Sequence, residues 1–111
     1  MNLIKKVVNE RSTTQKPIWL MRQAGRYLPE FRKIRKENSD FIKLCLNEIL
    51  VPEITLQPLK RFNIDAAIIF SDILMLPYGI GQEVEFKKNF GPILGELENV
   101  NFSNTDENKF T

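Results

Sequence analysis

Two arginines of this chain lie close together around small residues. Arg22 and Arg26 are four positions apart, and Ala24 and Gly25 stand between them. Guanidinium groups bind carboxylates and phosphates through paired hydrogen bonds, and small residues let the backbone come close to a ligand. The pattern indicates a binding site for an anion with several carboxylates or phosphates. The spacing equally allows both arginines to lie on the surface in scattered ion pairs.

Asp72 is a carboxylate in an apolar stretch, between Phe70 and Ile73. Burying a charged carboxylate is costly unless it is paired. We therefore expect Asp72 either to form a structural salt bridge with Arg22 or Arg26, or to accept hydrogen bonds from N–H groups of a ligand. The residues alone slightly favour the salt bridge.

The histidine and cysteine content limits the chemistry. The chain has no histidine and one cysteine, Cys45. Because histidine is the usual proton carrier near neutral pH, acid–base chemistry here must use Asp, Glu, Tyr, Lys or Arg. A single cysteine excludes an internal disulfide and a cysteine-based zinc cluster, and we expect no metal site. The apolar neighbours of Cys45 predict a small buried hydrophobe rather than a reactive thiol.

Length and composition are those of one small globular domain. The chain has 111 residues, of which 42% are hydrophobic and 27% charged, and its formal net charge is +2. That excess is too small to predict nucleic-acid binding. No run approaches the roughly 18 apolar residues of a membrane span, and the N-terminus does not resemble a signal peptide. The simplest expectation is a cytoplasmic protein.

Two short apolar runs predict the strands that position these groups. Residues 18–21 and residues 66–70 are typical of strands buried on both faces of a parallel sheet. About 45 residues lie between them, which suits a βαβ unit with a right-handed crossover. Ligands bind at the carboxyl ends of such strands, so the arginines and Asp72 are expected to face one pocket. Since two strands do not make a stable sheet, the sequence predicts the opening of a larger α/β domain.

The other elements are predicted mainly as helices. They are a helix over 2–9, an exposed helix over 30–37 that begins at Pro29, a short helix capped by Ser39, a helix over 48–62 that Pro52 starts and Pro58 bends, a short helix over 72–76 that Pro77 and Gly79 stop, and a strand or hairpin arm at 84–86. Residues 96–111 are polar and are expected to be loose.

Three motifs resemble the uroporphyrinogen decarboxylase family. They are residues 17–31, which include Met-Arg-Gln-Ala-Gly-Arg-Tyr, then 55–62, Thr-Leu-Gln-Pro-Leu-Lys-Arg-Phe, and 65–74, Asp-Ala-Ala-Ile-Ile-Phe-Ser-Asp-Ile-Leu. They occur in the family's order and spacing, within about residues 15–95. The resemblance implies a (β/α)₈ TIM barrel that uses no metal or cofactor and is a cytoplasmic homodimer. It also implies removal of CO₂ from the four acetate side chains of uroporphyrinogen III, giving coproporphyrinogen III, in porphyrin and haem biosynthesis.

The same resemblance assigns roles to residues of this chain. Asp72 matches the aspartate that accepts the pyrrole N–H groups, and Arg22 is a candidate proton donor. Phe41, with Ile68, is a candidate for apolar contact with the macrocycle. The residues that match the family's substrate-binding segment are Arg22, Gln23, Ala24, Gly25 and Arg26.

The chain also departs from the family's pattern. Family members are about three times as long, and their later Tyr, Ser or Thr, and C-terminal His have no counterpart here. Gly79-Ile80-Gly81 also replaces an expected Ala-Leu-Gly. We therefore expect residues 1–111 to be a partial barrel domain, inactive and poorly stable alone. The alternative is an inactive truncated or split-gene product that folds only with the missing barrel. Related zinc-dependent methyltransferases are disfavoured, because they need Cys or His ligands and lack the arginine segment.

Overall fold

A computed structural model describes residues 2–11 and 14–96 of the chain. The described residues divide into two compact units, one of residues 2–11, 14–37 and 48–70 and the other of 38–47 with 71–96. Within the described residues the helices are α1 (Leu3–Glu10), α2 (Pro29–Glu37), α3 (Phe41–Cys45), α4 (Leu50–Arg61) and α5 (Met75–Gly79), and the strands are β1 (Val84–Lys87) and β2 (Gly91–Leu94).

The first unit is built on the pair α2 and α4, which pack together. The α2 side chain Phe31 is buried, and the α4 side chain Ile54 is completely buried. The ring of Phe31 meets the edge of Phe70 at 5.5 Å between centroids. On the surface, the Arg61 guanidinium donates two hydrogen bonds to Glu30, of 2.6 and 2.9 Å. Helix α2 begins at the proline predicted to start it.

The N-terminal helix α1 confirms the helix predicted over 2–9. Its first turn is capped by Asn2, whose side-chain oxygen accepts the Ile4 N–H at 2.8 Å. The Asn2 amide also donates to the Asp65 carbonyl at 2.7 Å. The same residue therefore caps the helix and fixes it to the turn that precedes residue 66.

The second unit contains α3, α5 and an antiparallel hairpin of β1 and β2. The hairpin register runs from Val84 opposite Leu94 to Lys87 opposite Gly91, which confirms the predicted hairpin arm at 84–86. The hairpin turn places Asn89 and Gly91 at positive φ, a region that asparagine and glycine tolerate best.

Three helix boundaries differ from the sequence predictions. The cap of α3 is Asp40, not Ser39, because the Asp40 carboxylate accepts the Lys43 N–H at 3.1 Å. Helix α4 begins two residues before Pro52 and continues through Pro58, whose ring removes only one backbone donor. Helix α5 begins at Met75 and contains Pro77, so this proline does not end it. Cys45 is buried, as its apolar neighbours predict.

The two strands predicted at 18–21 and 66–70 were wrong for the described structure, because neither run is in a strand. One backbone hydrogen bond links the first run to the residue before the second, from the Asp65 N–H to the Ile18 carbonyl at 2.8 Å. The expected burial on both faces was also wrong, since Met21 is 75% exposed and Ile69 is 74% exposed. A strand needs a hydrogen-bonded neighbour along its length. The α/β class is supported by the helices and the hairpin, whereas the barrel expectation stays a prediction.

Candidate functional site

The arginine segment forms a turn that is held through its carbonyl groups. The Tyr27 hydroxyl donates to the Gln23 carbonyl, and the Leu28 N–H donates to the Gly25 carbonyl at 3.0 Å. Arg32 Nη1 donates to the Arg26 carbonyl at 2.8 Å and to the next carbonyl at 3.2 Å. Leu28 is only 1% exposed and anchors the end of the turn in the core.

The guanidinium groups of Arg22 and Arg26 have no hydrogen-bond or ion-pair partner among residues 2–11 and 14–96. Both residues are exposed. Within the described residues, the two arginines therefore do not form the surface ion pairs that their spacing also allowed. Two cations four residues apart, without internal partners, are suited to binding an external anion.

The backbone of the same turn also presents unused donors. The N–H groups from Gln23 to Tyr27 donate to no acceptor within the described part of the chain, whereas the carbonyls of Gln23, Gly25, Arg26 and Tyr27 are occupied. Backbone N–H groups need a partner or water. The turn therefore offers hydrogen-bond donors next to two positive side chains, a combination that favours carboxylates.

Gln23 differs from the other residues of the turn because its side chain points into the protein and is 5% exposed. Its amide nitrogen donates to the carbonyls of Leu20 and Ala66, each at 2.9 Å. Its amide oxygen accepts the Ile68 N–H at 2.9 Å. One buried side chain thus bonds to backbone on both of the runs that were predicted as strands.

Ala24 and Gly25 are partly buried. A Cβ built on Gly25 would lie 3.8 Å from the Tyr27 ring, an ordinary van der Waals distance. Gly25 is not among the glycines with positive φ, so the backbone does not require glycine here. The contacts of Gly25 within the described structure therefore do not require a small residue. A ligand that approaches the backbone closely would require one.

Asp72 belongs to the second unit and is partly buried. Its Oδ1 accepts the Leu74 N–H at 2.9 Å, and its carbonyl accepts the Met75 N–H at 3.1 Å. Oδ2 has no hydrogen-bond partner among the described residues. The local turn before α5 thus fixes one carboxylate oxygen and leaves the other able to accept from a ligand.

The two apolar candidates lie in different units. Phe41, on α3 in the second unit, is partly buried, and its ring meets the edge of Phe86 on β1 at 4.8 Å between centroids. Ile68, in the first unit, is 39% exposed. Neither side chain is fully buried.

Two residues to which the motifs assigned no role, Thr55 and Asp65, help to fix the runs 18–21 and 66–70. Thr55 Oγ1 donates to the Val51 carbonyl at 2.7 Å and accepts the Phe70 N–H at 2.9 Å. Asp65 Oδ2 accepts the Ile18 N–H at 2.7 Å. Sequence reasoning missed both roles, because a threonine in a helix and an aspartate in a turn carry no sign of a distant backbone partner.

The structure offers few other sites within its described residues. These contain no group of three or more His, Cys, Asp or Glu that could hold a metal ion. No helix among them is long and apolar enough to cross a membrane. A cavity of about 470 Å³ in the second unit is lined by Tyr78, residues 81–85 and residues 93–95. None of the residues predicted to bind a ligand lines that cavity.

Comparison with known proteins gives the chain's relatives. A sequence model of the family described as "Uroporphyrinogen decarboxylase (URO-D)" matches residues 1–107. The chain is 50% identical over 97 residues to a uroporphyrinogen decarboxylase of Rickettsia felis, covering 86% of this chain and 28% of the relative. It is 52% identical over 98 residues to one of Rickettsia bellii, covering 88% and 28%. It is 46% identical over 101 residues to one of Chelativorans, covering 91% and 30%. The chain therefore spans less than a third of the length of these relatives.

Proposed function

Because this chain belongs to the uroporphyrinogen decarboxylase family, which consists of carboxy-lyases, we propose that it supplies the arginine-bearing part of a decarboxylase active site. The proposed reaction removes CO₂ from the four acetate side chains of uroporphyrinogen III and gives coproporphyrinogen III. The observation that carries the proposal is the exposed pair Arg22 and Arg26, which has no partner in the described structure and adjoins a run of unused backbone N–H groups.

Substrate binding is assigned to the turn at residues 22–26. The substrate carries eight carboxylates, and each guanidinium can hold one of them through two hydrogen bonds. The backbone N–H groups of Gln23, Ala24 and Gly25 would donate to the same or a neighbouring carboxylate. A hydrogen bond to a charged group contributes about 1.5–3 kcal/mol. Several such bonds on one turn would orient an acetate arm of the macrocycle.

The chemistry is assigned to Asp72 with help from Arg22. Decarboxylation of an acetate arm passes through a protonated pyrrole, so positive charge develops on the ring before the bond to CO₂ breaks. An ionised Asp72, with Oδ2 accepting a pyrrole N–H, would stabilise that charge electrostatically. Loss of CO₂ leaves a methylene carbon, which takes a proton to become the methyl group, and Arg22 is the candidate donor. The ring then releases the proton that it had gained, so that one proton is consumed for each CO₂ released. Phe41 would contribute apolar contact to the macrocycle.

The proposal extends to the whole enzyme of which this chain would be part. We propose a cytoplasmic homodimer, active without metal or cofactor, that acts in porphyrin and haem biosynthesis. Neither nucleic acid nor membrane is a proposed partner.

A second candidate is a chain that is inactive alone and acquires function only with the rest of a barrel. One observation favours it. The runs 18–21 and 66–70 expose apolar side chains and form no ladder within the described structure. Exposed apolar runs with free backbone groups are suited to pairing with further strands. On this proposal the turn at 22–26 binds carboxylates, but turnover requires the added segment.

Binding of uroporphyrin III, the stable oxidised form of the macrocycle, tests the assignment of the turn. We expect the purified chain to bind it, and Arg22→Gln or Arg26→Gln to weaken binding by about 10- to 100-fold. Arg11→Gln is the matched control, since Arg11 is also exposed but lies outside the turn. Absence of binding, or an equal loss in the control, would overturn the assignment.

A coproporphyrinogen assay tests the expected inactivity of the chain alone. Measurable product from the purified chain would overturn that expectation, and the second candidate with it. The second predicts product only when the chain is co-expressed with the remaining part of the Rickettsia felis relative. An absence of product in both experiments, with the complex shown to form, would contradict both candidates.

A further inference from the structure

The hydrogen-bonding capacity of the Gln23 side chain limits what it can do at the site. A glutamine amide has two N–H donors and one carbonyl oxygen. Both donors are directed at backbone carbonyls, those of Leu20 and Ala66, and the oxygen accepts the Ile68 N–H. A carboxylate only accepts hydrogen bonds, so it could bind this side chain only by displacing one of these carbonyls.

We propose that Gln23 is a positioning residue whose side chain fixes the arginine turn and does not bind substrate. This inference rests on the proposed function in one respect, because the proposed function supplies the identity of the ligand that the turn binds. Gln23 is 5% exposed, and it directly follows Arg22 in the chain. The anchored side chain therefore holds the peptide that carries Arg22 against residues 66–68.

The side-chain hydrogen bonds of Gln23 provide much of the connection between the runs 18–21 and 66–70, because these runs form no β-ladder in the described structure. Other bonds between the runs lie at Asp65, whose N–H and carboxylate both pair with Ile18. Ile18 precedes Arg22 by four residues, whereas Gln23 is its neighbour. Loss of the Gln23 amide would therefore loosen Arg22 while leaving the contact at Ile18 in place.

An NMR titration of the wild-type chain tests the role without any substitution. The Ile68 amide hydrogen should exchange more slowly than that of Ala67, which has no acceptor within the described residues. On addition of uroporphyrin III, the Ile68 amide and the Gln23 side-chain amide should keep their protection. Faster exchange at Ile68 on ligand addition would mean that the side chain leaves its backbone partners to bind ligand, and would overturn the proposal.

Two substitutions at Gln23 separate the bonds. Gln23→Met removes all of them, so the Ile68 amide should exchange faster. Gln23→Glu keeps the acceptor, so Ile68 should stay protected although the two donors are lost. Both variants should bind uroporphyrin III about 10- to 100-fold more weakly, the loss seen when outer-shell partners are removed at metal sites. Unchanged affinity in a folded Gln23→Met variant would refute a positioning role.

Gln57→Met is the matched control. Gln57 is equally buried in the same unit, but its amide has no partner in the described structure. Its substitution should leave the affinity for uroporphyrin III unchanged and should not make the Ile68 amide exchange faster. If the wild-type chain binds no uroporphyrin III, the proposed function fails. The exchange of Ile68 in the free Gln23 variants still decides whether the tether exists.

Discussion

Three buried glutamines provide a graded test of how hydrogen bonding sets the stability of this chain. Gln23, Gln57 and Gln82 are 5%, 4% and 6% exposed, and they are the buried polar side chains of the described structure. Gln23 makes three side-chain hydrogen bonds to backbone, and Gln82 donates one to the Gly95 carbonyl. Neither polar atom of the Gln57 amide has a partner among residues 2–11 and 14–96. Burial is therefore nearly constant while hydrogen bonding varies.

The perturbation is replacement of each glutamine by methionine, which has similar volume and helix propensity. A buried polar group without a partner costs about 1–3 kcal/mol. Gln57→Met removes two such groups, so we expect the free energy of unfolding to rise by about 1–3 kcal/mol, since part of the cost is relieved if water reaches the amide. Gln82→Met should lower it by about 1 kcal/mol, and Gln23→Met by about 3 kcal/mol, at roughly 1 kcal/mol for each bond lost.

The assay is urea unfolding followed by far-ultraviolet circular dichroism and by fluorescence of Trp19, the single tryptophan. Coincident transitions would support two-state analysis. Because the glutamines lie in two units, hydrogen exchange of peptides from each unit should locate the change. The reasoning is refuted if Gln57→Met destabilises the chain as much as Gln82→Met does. That result would mean that the Gln57 amide has partners in water or in parts of the chain outside the described residues.

Two further predictions concern the surface pair of the first unit and the arginine turn. The hydrogen bond from Arg61 lowers the pKa of Glu30 below its ordinary value. A lowered carboxyl pKa stabilises the fold above the unfolded pKa of about 4.3, and this contribution is lost as pH falls through the folded value. Chemical unfolding measured from pH 6 to pH 2 should therefore show a loss of stability that is smaller in Glu30→Gln than in the wild type; an identical pH profile in the variant would contradict this. Gly25→Ala should unfold at the wild-type urea concentration or slightly above it, since the added methyl meets only the Tyr27 ring at van der Waals distance, yet it should weaken uroporphyrin III binding. Unchanged binding would show that no ligand approaches Gly25.

The sequence predicted the local elements well where the signals were local. Three signals each determine structure within a few residues. They are the proline at the start of α2, the polar residues before α3 and the alternation of apolar and polar residues at 84–86. The helices and the hairpin appear close to their predicted bounds. The errors at α3 and α5 are also local, since Asp40 competes with its neighbour for the cap and a proline within the first turn of α5 is tolerated.

The candidate site was predicted only in part, because its long-range contacts leave no mark in the sequence. The motifs selected Arg22 and Arg26, and the structure adds that they lack partners in the described residues. Composition could not distinguish a glutamine that binds substrate from one that bonds to backbone 43 and 45 residues away. The same holds for Thr55, whose hydroxyl reaches the Phe70 N–H from within a helix.

The failed strand predictions have a physical cause that bears on the site. Residues 66–70 are apolar and include the β-branched Ile68 and Ile69 with the aromatic Phe70, which favour a strand. Such a preference produces a strand only when the backbone groups pair with a neighbouring strand. Here side chains of Gln23 and Thr55 bond to residues 66, 68 and 70, while the backbone groups of Ala67 and Ile69 have no partner in the described structure. Specific side-chain bonds thus hold this run beside the arginine turn. Single substitutions of Gln23 or Thr55 should therefore disturb the arginine turn more than they would in a complete sheet, where many backbone hydrogen bonds of the ladder also hold the strands together.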